Sequence, residues 1–294
     1  MSEKVACVVL NYNDADNTLN LIEKIHDYNS LNYIVVVDNC SSDDSVSRIQ
    51  DIVDEKVKLL QQDKNQGYGA GNNAGVRYAH DVMGCKYAII ANPDVLFSRE
   101  CVMELKRVMQ SDSQIAVSAP IQKQADGTIE KEYAWHIPTI RQWVWSPEHF
   151  LHKYFWPCYT MEELKQARSN GAQTMNVDCV PGAMLMVDTD KFLECEGYDE
   201  DNFLYCEETV LGIKLKGKQY KTELLINQYY VHLGSETINK NIEGRAKRKA
   251  IMMNSRLWFL KNWLKASPIQ CWMGKLVADL AVFETRISDK TGIS

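Results

Sequence analysis

Apolar residues follow two rhythms along this chain. Short unbroken runs at 5–10, 33–37, 57–60 and 87–90 alternate through the first third with longer stretches in which apolar positions recur at helical spacing. Those stretches are 16–28, with Leu19, Ile22 and Ile25; 44–53, with Val46, Ile49 and Ile52 or Val53; and 71–83. Strands covered on both faces read as unbroken apolar runs, so the alternation predicts an α/β fold on a parallel sheet. Three of the runs end in polar clusters, Asn11-Tyr12-Asn13-Asp14, Asp38-Asn39-Cys40-Ser41-Ser42-Asp43 and Asn92-Pro93-Asp94. Open α/β sheets bind ligands at the carboxyl ends of their strands, so three converging clusters predict a site. The same residue types also make turns and helix N-caps, as Ser42, Asp43 or Asp44 would before Val46.

Beyond the sheet rhythm, residues 133–159 hold nine of the 28 aromatic side chains, with His136, His149 and His152 among them. This density predicts a packed subdomain, and the histidines show no carboxylate at metal spacing, so no zinc site is expected. The tail carries one helical stripe through Ala246, Ala250, Met253, Leu257, Leu260 and Leu264, ended by Pro268. A second follows at Ile269, Trp272, Leu276, Leu280, Phe283 and Ile287. From 240 to 265 eight Lys or Arg stand against one acid, Glu243, beside Trp258 and Trp263, which are expected to be exposed. Such a face is a solvated helix surface, or one that meets anionic headgroups or a diphosphate.

With 294 residues, 45% hydrophobic and 24% charged, the chain has room for a sizeable core, read as one domain with a helical appendage. A net charge of −6 argues against a nucleic-acid binder with a basic surface. Nine cysteines without a C-x-x-C pair, and no secretory segment, suit reduced thiols in the cytoplasm. No apolar run approaches the ~20 residues that cross a bilayer, so a soluble or peripheral protein is expected.

Candidate chemistry gathers on a few residues. Asp94, after a buried strand, is a typical anchor for Mg2+ or Mn2+, whose remaining ligands would be phosphate oxygens. Glu207 and Glu208 open a helical stretch ending near Lys218; either offers a general base. His232 follows a strand expected over 224–231, and a lone histidine there is ordinarily structural. The run Gly69-Ala70-Gly71-Asn72-Asn73-Ala74 mimics the dinucleotide pattern G-x-G-x-x-A, which would suggest an NAD-dependent dehydrogenase. It lies at the third strand-to-helix turn, however, with Gln61-Gln62-Asp63-Lys64-Asn65 between strand and glycines, whereas that fingerprint belongs directly after the first strand.

Taken in order, Val8-Val9-Leu10-Asn11-Tyr12-Asn13, Val36-Val37-Asp38-Asn39, Asn65-Gln66-Gly67-Tyr68-Gly69-Ala70-Gly71-Asn72-Asn73, Asn92-Pro93-Asp94, Val180-Pro181-Gly182-Ala183, Gly197-Tyr198-Asp199-Glu200 to Glu208, His232-Leu233-Gly234-Ser235 and Ser255-Arg256-Leu257-Trp258-Phe259 resemble the family 2 inverting glycosyltransferases. The likeness covers roughly residues 4–262 and is greatest to bacterial rhamnosyltransferases of surface polysaccharide synthesis. It implies a GT-A type, Rossmann-like fold with a mixed, mainly parallel sheet flanked by helices. A catalytic domain would span 1–235, with a nucleotide-binding half at 1–95 and an acceptor half at 96–235, and a helical extension would follow at 236–294. By the same resemblance Tyr12 and Asn13 would line the nucleotide pocket, Asp38 would accept from a pyrimidine imide, and Asn39 would shape the ribose contact. Gly67, Gly69 and Gly71 would form a loop closing the pocket, and Asn73 would point its amide at the donor. Asn92 and Asp94 stand at the family's metal motif, with His232 completing a Mn2+ or Mg2+ shell. Gly182, Ala183 and Glu207 would meet the acceptor or the donor sugar.

Glu208 occupies the base position, where the family usually carries Asp. That departure motivates a second reading, a nucleotide-sugar-binding protein without catalysis. The resemblance implies a dTDP- or UDP-linked donor, dTDP-rhamnose first. The acceptor would be a glycan or lipid-linked glycan, met in the cytoplasm with peripheral contact at the inner face of the membrane.

Overall fold

The computed structural model describes residues 3–147, 149–234, 241–242 and 244–291. In chain order its elements are β1 (Val5–Asn11), α1 (Ala15–Ile25), β2 (Tyr33–Asp38), α2 (Ser45–Gln50), β3 (Val57–Gln61), α3 (Tyr68–Asp81), β4 (Tyr87–Ala91), β5 (Val95–Phe97), α4 (Arg99–Ser111), β6 (Ile115–Gln124), α5 (Ile140–Trp145), α6 (His149–Phe155), α7 (Met161–Ser169), β7 (Thr174–Val177), β8 (Met184–Asp188), α8 (Thr189–Glu194), α9 (Glu207–Gly217), β9 (Lys221–His232), α10 (Arg245–Asn262) and α11 (Pro268–Thr291). Ser235 and the expected junction at 235–236 lie outside the described residues.

The strands of the described residues form one sheet in the order β3-β2-β1-β4-β8-β6-β9-β5, with β7 paired to β9. β1 to β4 pair in parallel, β8 runs against β4 and β6, and β9 is parallel to β6, while β5 and β7 oppose β9. Six strands thus share one direction. The chain leaves β1 toward β2 and β3, then returns to β4 on the other side, so the loops after β1 and β4 diverge and leave a crevice at their carboxyl ends.

Both faces of the sheet are covered, which explains the unbroken runs. Val5, Cys7 and Val9 are buried in one cluster with Leu21, Ile22 and Ile25 of α1 and Val102 and Leu105 of α4. Ala6 and Val8 point the other way, into a cluster with Val76 and Ala79 of α3. There α3 lies very close to the sheet, because a Cβ at Gly75 would stand 2.3 Å from Val8 Cγ1 and 2.8 Å from Val37 Cγ2.

Element ends differ from expectation for local reasons. α3 starts at Tyr68 rather than 71, because Gly67, at φ 102°, turns the chain directly into the helix. The glycine-rich run is therefore a helix and not a loop. α1 stops at Ile25 and α2 at Gln50, each followed by tightened i→i+3 bonds from Tyr28 N to Ile25 O and from Val53 N to Gln50 O.

The tail is a helical hairpin, but the two tryptophans of its basic segment are not exposed. Trp258 and Trp263 are half-buried in a cluster with Trp143, Phe259 and Leu260, and Trp263 Nε1 donates to Asp199 Oδ2 at 3.0 Å. Among the basic residues of this segment, the Arg256 guanidinium lies 3.9 Å from the Trp143 ring centre and donates to Trp143 O and Ser146 Oγ. Lys247, Lys261 and Lys265 are exposed. Among the described residues no helix is long and apolar enough to cross a membrane.

Gly75→Ala is expected to destabilise the fold by about 1–3 kcal/mol, because the stiff Val8 and Val37 side chains cannot yield without moving strands. A lower urea midpoint at unchanged m-value would measure it.

Candidate active site

Strand pairing assembles the site from distant segments. β4 and β8 pair with Ala91 opposite Met184, and Asn92 N donates to Ala183 O, which sets Gly182 and Ala183 beside Asn92. β5 and β9 pair with Val95 opposite His232, and Leu233 N donates to Asp94 O, which brings His232 to Asp94 across 138 residues. Residues from all these segments line a cavity of about 740 Å³ at the carboxyl edge of the sheet.

The glutamate pair enters this cavity at the first turn of α9. Tyr205 and Cys206 both have left-handed backbones, at φ 73° and 74°, an unusual pair of non-glycine residues that redirects the chain into the helix. Glu208 Oε1 accepts a hydrogen bond from Gly182 N at 3.1 Å. A Cβ at position 182 would lie 2.3 Å from that same oxygen. Gly182 thus provides both the donor and the room for the Glu208 side chain.

Glu207 is buried, and its Oε1 has no hydrogen-bond partner. Burial, and then the charge of Glu208, push its carboxyl well above the ordinary range. Burial also raises Glu208, but the amide of Gly182 opposes the rise. The two environments differ in that only Glu208 has a backbone amide opposing the rise from across the cavity.

On the opposite wall, His232 Nε2 lies 3.2 Å from Asp94 Oδ1, outside hydrogen-bonding geometry, and is buried without a hydrogen-bond partner. A carboxylate and an imidazole nitrogen held this way fit a divalent cation with an N/O donor set. Among the described residues no third His, Cys, Asp or Glu joins them, so further ligands would be substrate oxygens or water. Gln122 Nε2 stands 3.4 Å from His232 Nδ1 and Tyr230 donates to Gln122 Oε1 at 2.7 Å, a chain that can set the imidazole tautomer.

Of the residues singled out by sequence, Tyr12, Asn39, Gly67, Asn92, Asp94, Gly182, Ala183, Glu207, Glu208 and His232 all line the cavity. Others turn away from it. Asp38 is buried outside the cavity lining, its carboxylate accepting from Asn11 Nδ2, Ser41 Oγ and Ser41 N, so it ties the loops after β1 and β2 together. Asn73 spends its amide on Tyr198 O and Glu200 Oε1 and accepts from Tyr198 N, clamping that loop and not a donor. Gly69 and Gly71 admit Tyr198 and Leu10 against α3, which is packing. Asn13, at φ 50°, bonds Ser42 N and Asn241 Oδ1 beside the cavity.

Sequence reasoning missed Tyr68, whose hydroxyl lies within hydrogen-bonding distance of Asn92 Oδ1 at 3.0 Å and Gly182 O at 2.9 Å, bridging both walls. Its place within the glycine run was the available signal. Gln122, Glu132 and Trp135 also line the cavity, and no local pattern marks them. Glu132 also pairs with His152 Nε2 at 2.5 Å, a carboxylate partner that spacing did not reveal.

The sequence model of Glycosyl transferase family 2 matches residues 6–181. The chain belongs to this family. The match ends just before Gly182 and the glutamate pair, so those residues rest on the geometry above. Membership also disposes of the dehydrogenase reading, whose glycines are the packed first turns of α3.

Among family relatives, the low-salt glycan biosynthesis hexosyltransferase Agl10 of Haloferax volcanii is 28% identical over 121 residues, 41% of this chain and 38% of that protein. The succinoglycan biosynthesis protein ExoO of Rhizobium meliloti is 32% identical over 114 residues, 38% of this chain and 32% of that protein. The matched segment thus spans about a third of each relative's length. The mannosyltransferase PcManGT of Pyrobaculum calidifontis, solved with GDP-Man and Mn2+, superposes with a TM-score of 0.59 at 14% identity, covering 100% of this chain and 77% of that one. S. aureus TarS 1-349 with UDP-GlcNAc gives 0.55 at 12% identity, covering 95% and 71%. These likenesses show the GT-A type fold.

Gly182→Ala should displace the Glu208 carboxylate and lower turnover by about 10²-fold, a misplacement effect, with the urea midpoint reporting any loss of fold. A base must be ionised to take a proton, so activity should rise with pH along a limb centred above 4.5, the ordinary value from which Glu208 is raised. A kcat/KM profile across acid pH measures it.

Proposed function

We propose that this chain transfers a hexose from a nucleoside diphosphate sugar to a glycan hydroxyl, inverting the anomeric configuration, with Glu208 as general base. The observation that carries this reading is the divided glutamate pair. Glu207 is buried with no hydrogen-bond partner at Oε1, and Glu208 is held by Gly182 N–H in the cavity that contains Asp94 and His232. The names of the relatives, a hexosyltransferase of glycan biosynthesis and a succinoglycan biosynthesis protein, support it.

In this mechanism Glu208 takes the proton of the acceptor hydroxyl, its oxygen attacks the anomeric carbon from the face opposite the diphosphate, and the bond to the diphosphate breaks. Glu207, whose carboxyl burial raises, would donate a hydrogen bond to a sugar hydroxyl when protonated, and Tyr68 holds the two walls at their spacing. Asp94 and His232 would hold Mn2+ or Mg2+, which supplies charge neutralisation to a leaving diphosphate. The Mn2+ in the PcManGT structure supports that assignment by analogy of fold.

Tyr12, Asn39 and Gly67 are assigned to the nucleoside side of the cavity, which puts donor binding in residues 1–95, and Gly182, Ala183 and Glu132 to the sugar and acceptor side. The donor is proposed as dTDP-rhamnose, with UDP-hexoses as rivals, on the motif resemblance. A lipid-linked glycan acceptor at the cytoplasmic face of a membrane suits the exposed Lys247, Lys261 and Lys265.

Nucleoside diphosphate release from dTDP-rhamnose, UDP-hexoses and GDP-mannose, each with Mn2+ or Mg2+, tests this reading. Wild type should turn over one donor. Glu208→Gln should lower that turnover by about 10² to 10⁴ with donor binding nearly intact, and Asp94→Ala should weaken metal-dependent donor binding. Tight donor binding without turnover, even with glycan acceptors supplied, would replace the transferase by a binding protein of the same fold.

A further inference from the structure

The helix α11 carries two apolar faces. At about 100° of turn per residue, Gly274, Val277, Ala278 and Ala281 share one face, packed toward α10 and α5. Ile269, Trp272, Leu276, Leu280, Phe283 and Ile287 share another, exposed at 72, 62, 50, 48, 57 and 45%. Their 3-4-4-3-4 spacing keeps the stripe nearly straight along about 27 Å of helix. Soluble chains seldom expose apolar patches beyond a few hundred Å². These six side chains present roughly 700 Å², close to the ~800 Å² each partner buries in an interface of standard size.

We propose that this stripe packs against the same stripe of a second copy of this chain, two-fold and antiparallel. A two-fold contact has to be self-complementary. Read about position 278, the stripe is nearly its own mirror: Ile269 answers Ile287, Leu276 answers Leu280, and Trp272 answers Phe283 one residue out of register. Antiparallel pairing sets leucine on leucine at the centre, aromatic on aromatic farther out and isoleucine on isoleucine at the ends. α11 also carries three basic residues, Lys275, Arg286 and Lys290, and three acidic ones, Asp279, Glu284 and Asp289. Without net charge, nothing opposes self-association, and nothing draws this helix to an anionic bilayer. Lys247, Lys261 and Lys265 lie on α10 and the turn after it, while the exposed Lys275 of α11 is paired with Asp279 at 2.9 Å.

Sedimentation equilibrium of the full chain should return twice the chain mass of 33.7 kDa. Leu276→Glu combined with Leu280→Glu buries four carboxylates at the centre of the contact and should raise the dissociation constant at least about 100-fold. Its circular dichroism and donor binding should stay unchanged. Trp272→Glu probes the same surface from its outer end and should weaken the dimer without touching the centre. A wild type monomeric at about 100 µM would overturn the proposal, since an interface of this size binds more tightly. So would a dimer indifferent to these substitutions, or a monomer that co-sediments with phosphatidylglycerol vesicles through Leu276 and Leu280.

Discussion

The direction of β8 organises the functional end of this molecule. Hydrogen-bonded to β4 on one side and β6 on the other, and antiparallel to both, it joins the parallel half of the sheet to the rest. A parallel strand in that position would be entered from the amino edge, far from the crevice. An antiparallel strand is entered from the carboxyl edge, so Pro181, Gly182 and Ala183 are delivered to the loops that end β1 and β4. The same logic holds for β5, whose antiparallel pairing with β9 delivers Asp94 to His232.

Onto this frame the protein loads two adjacent carboxyls in a buried place. Their cost is limited because only one need be ionised, and that one has a backbone amide waiting for it at Gly182. The left-handed turn at Tyr205 and Cys206 is part of the same arrangement, since it redirects the chain so that Glu207 and Glu208 open α9 at the cavity. The length of Glu208 is matched to its place, because the missing Cβ at residue 182 provides the space.

Close packing explains why several polar residues of the opening motifs do not face the cavity. Asn11, Asp38 and Ser41 hydrogen-bond one another, and Thr18 Oγ1 donates to Asn11 Oδ1. They fasten two loops whose backbones must stay fixed for Tyr12 and Asn39 to line the pocket. Asn73 does the same for the loop that leads to Glu207. In such motifs the residue that supports the binding wall and the residue that forms it look alike in sequence, both being small and polar.

The chain's own pattern determined the parallel α/β core, through unbroken runs covered on both faces and helical stripes between them, because burial periodicity is a local property of sequence. It also determined which carboxylates were candidates, since Asp94 and the Glu207–Glu208 pair stand next to element ends that the pattern marks. Tertiary structure decided the rest. Whether Asn73 faces ligand or loop, whether Trp263 is bare or bonded to Asp199, and that Tyr68 spans Asn92 and Gly182 all depend on partners dozens of residues away. Register between non-consecutive strands sets those distances, and no local periodicity encodes it.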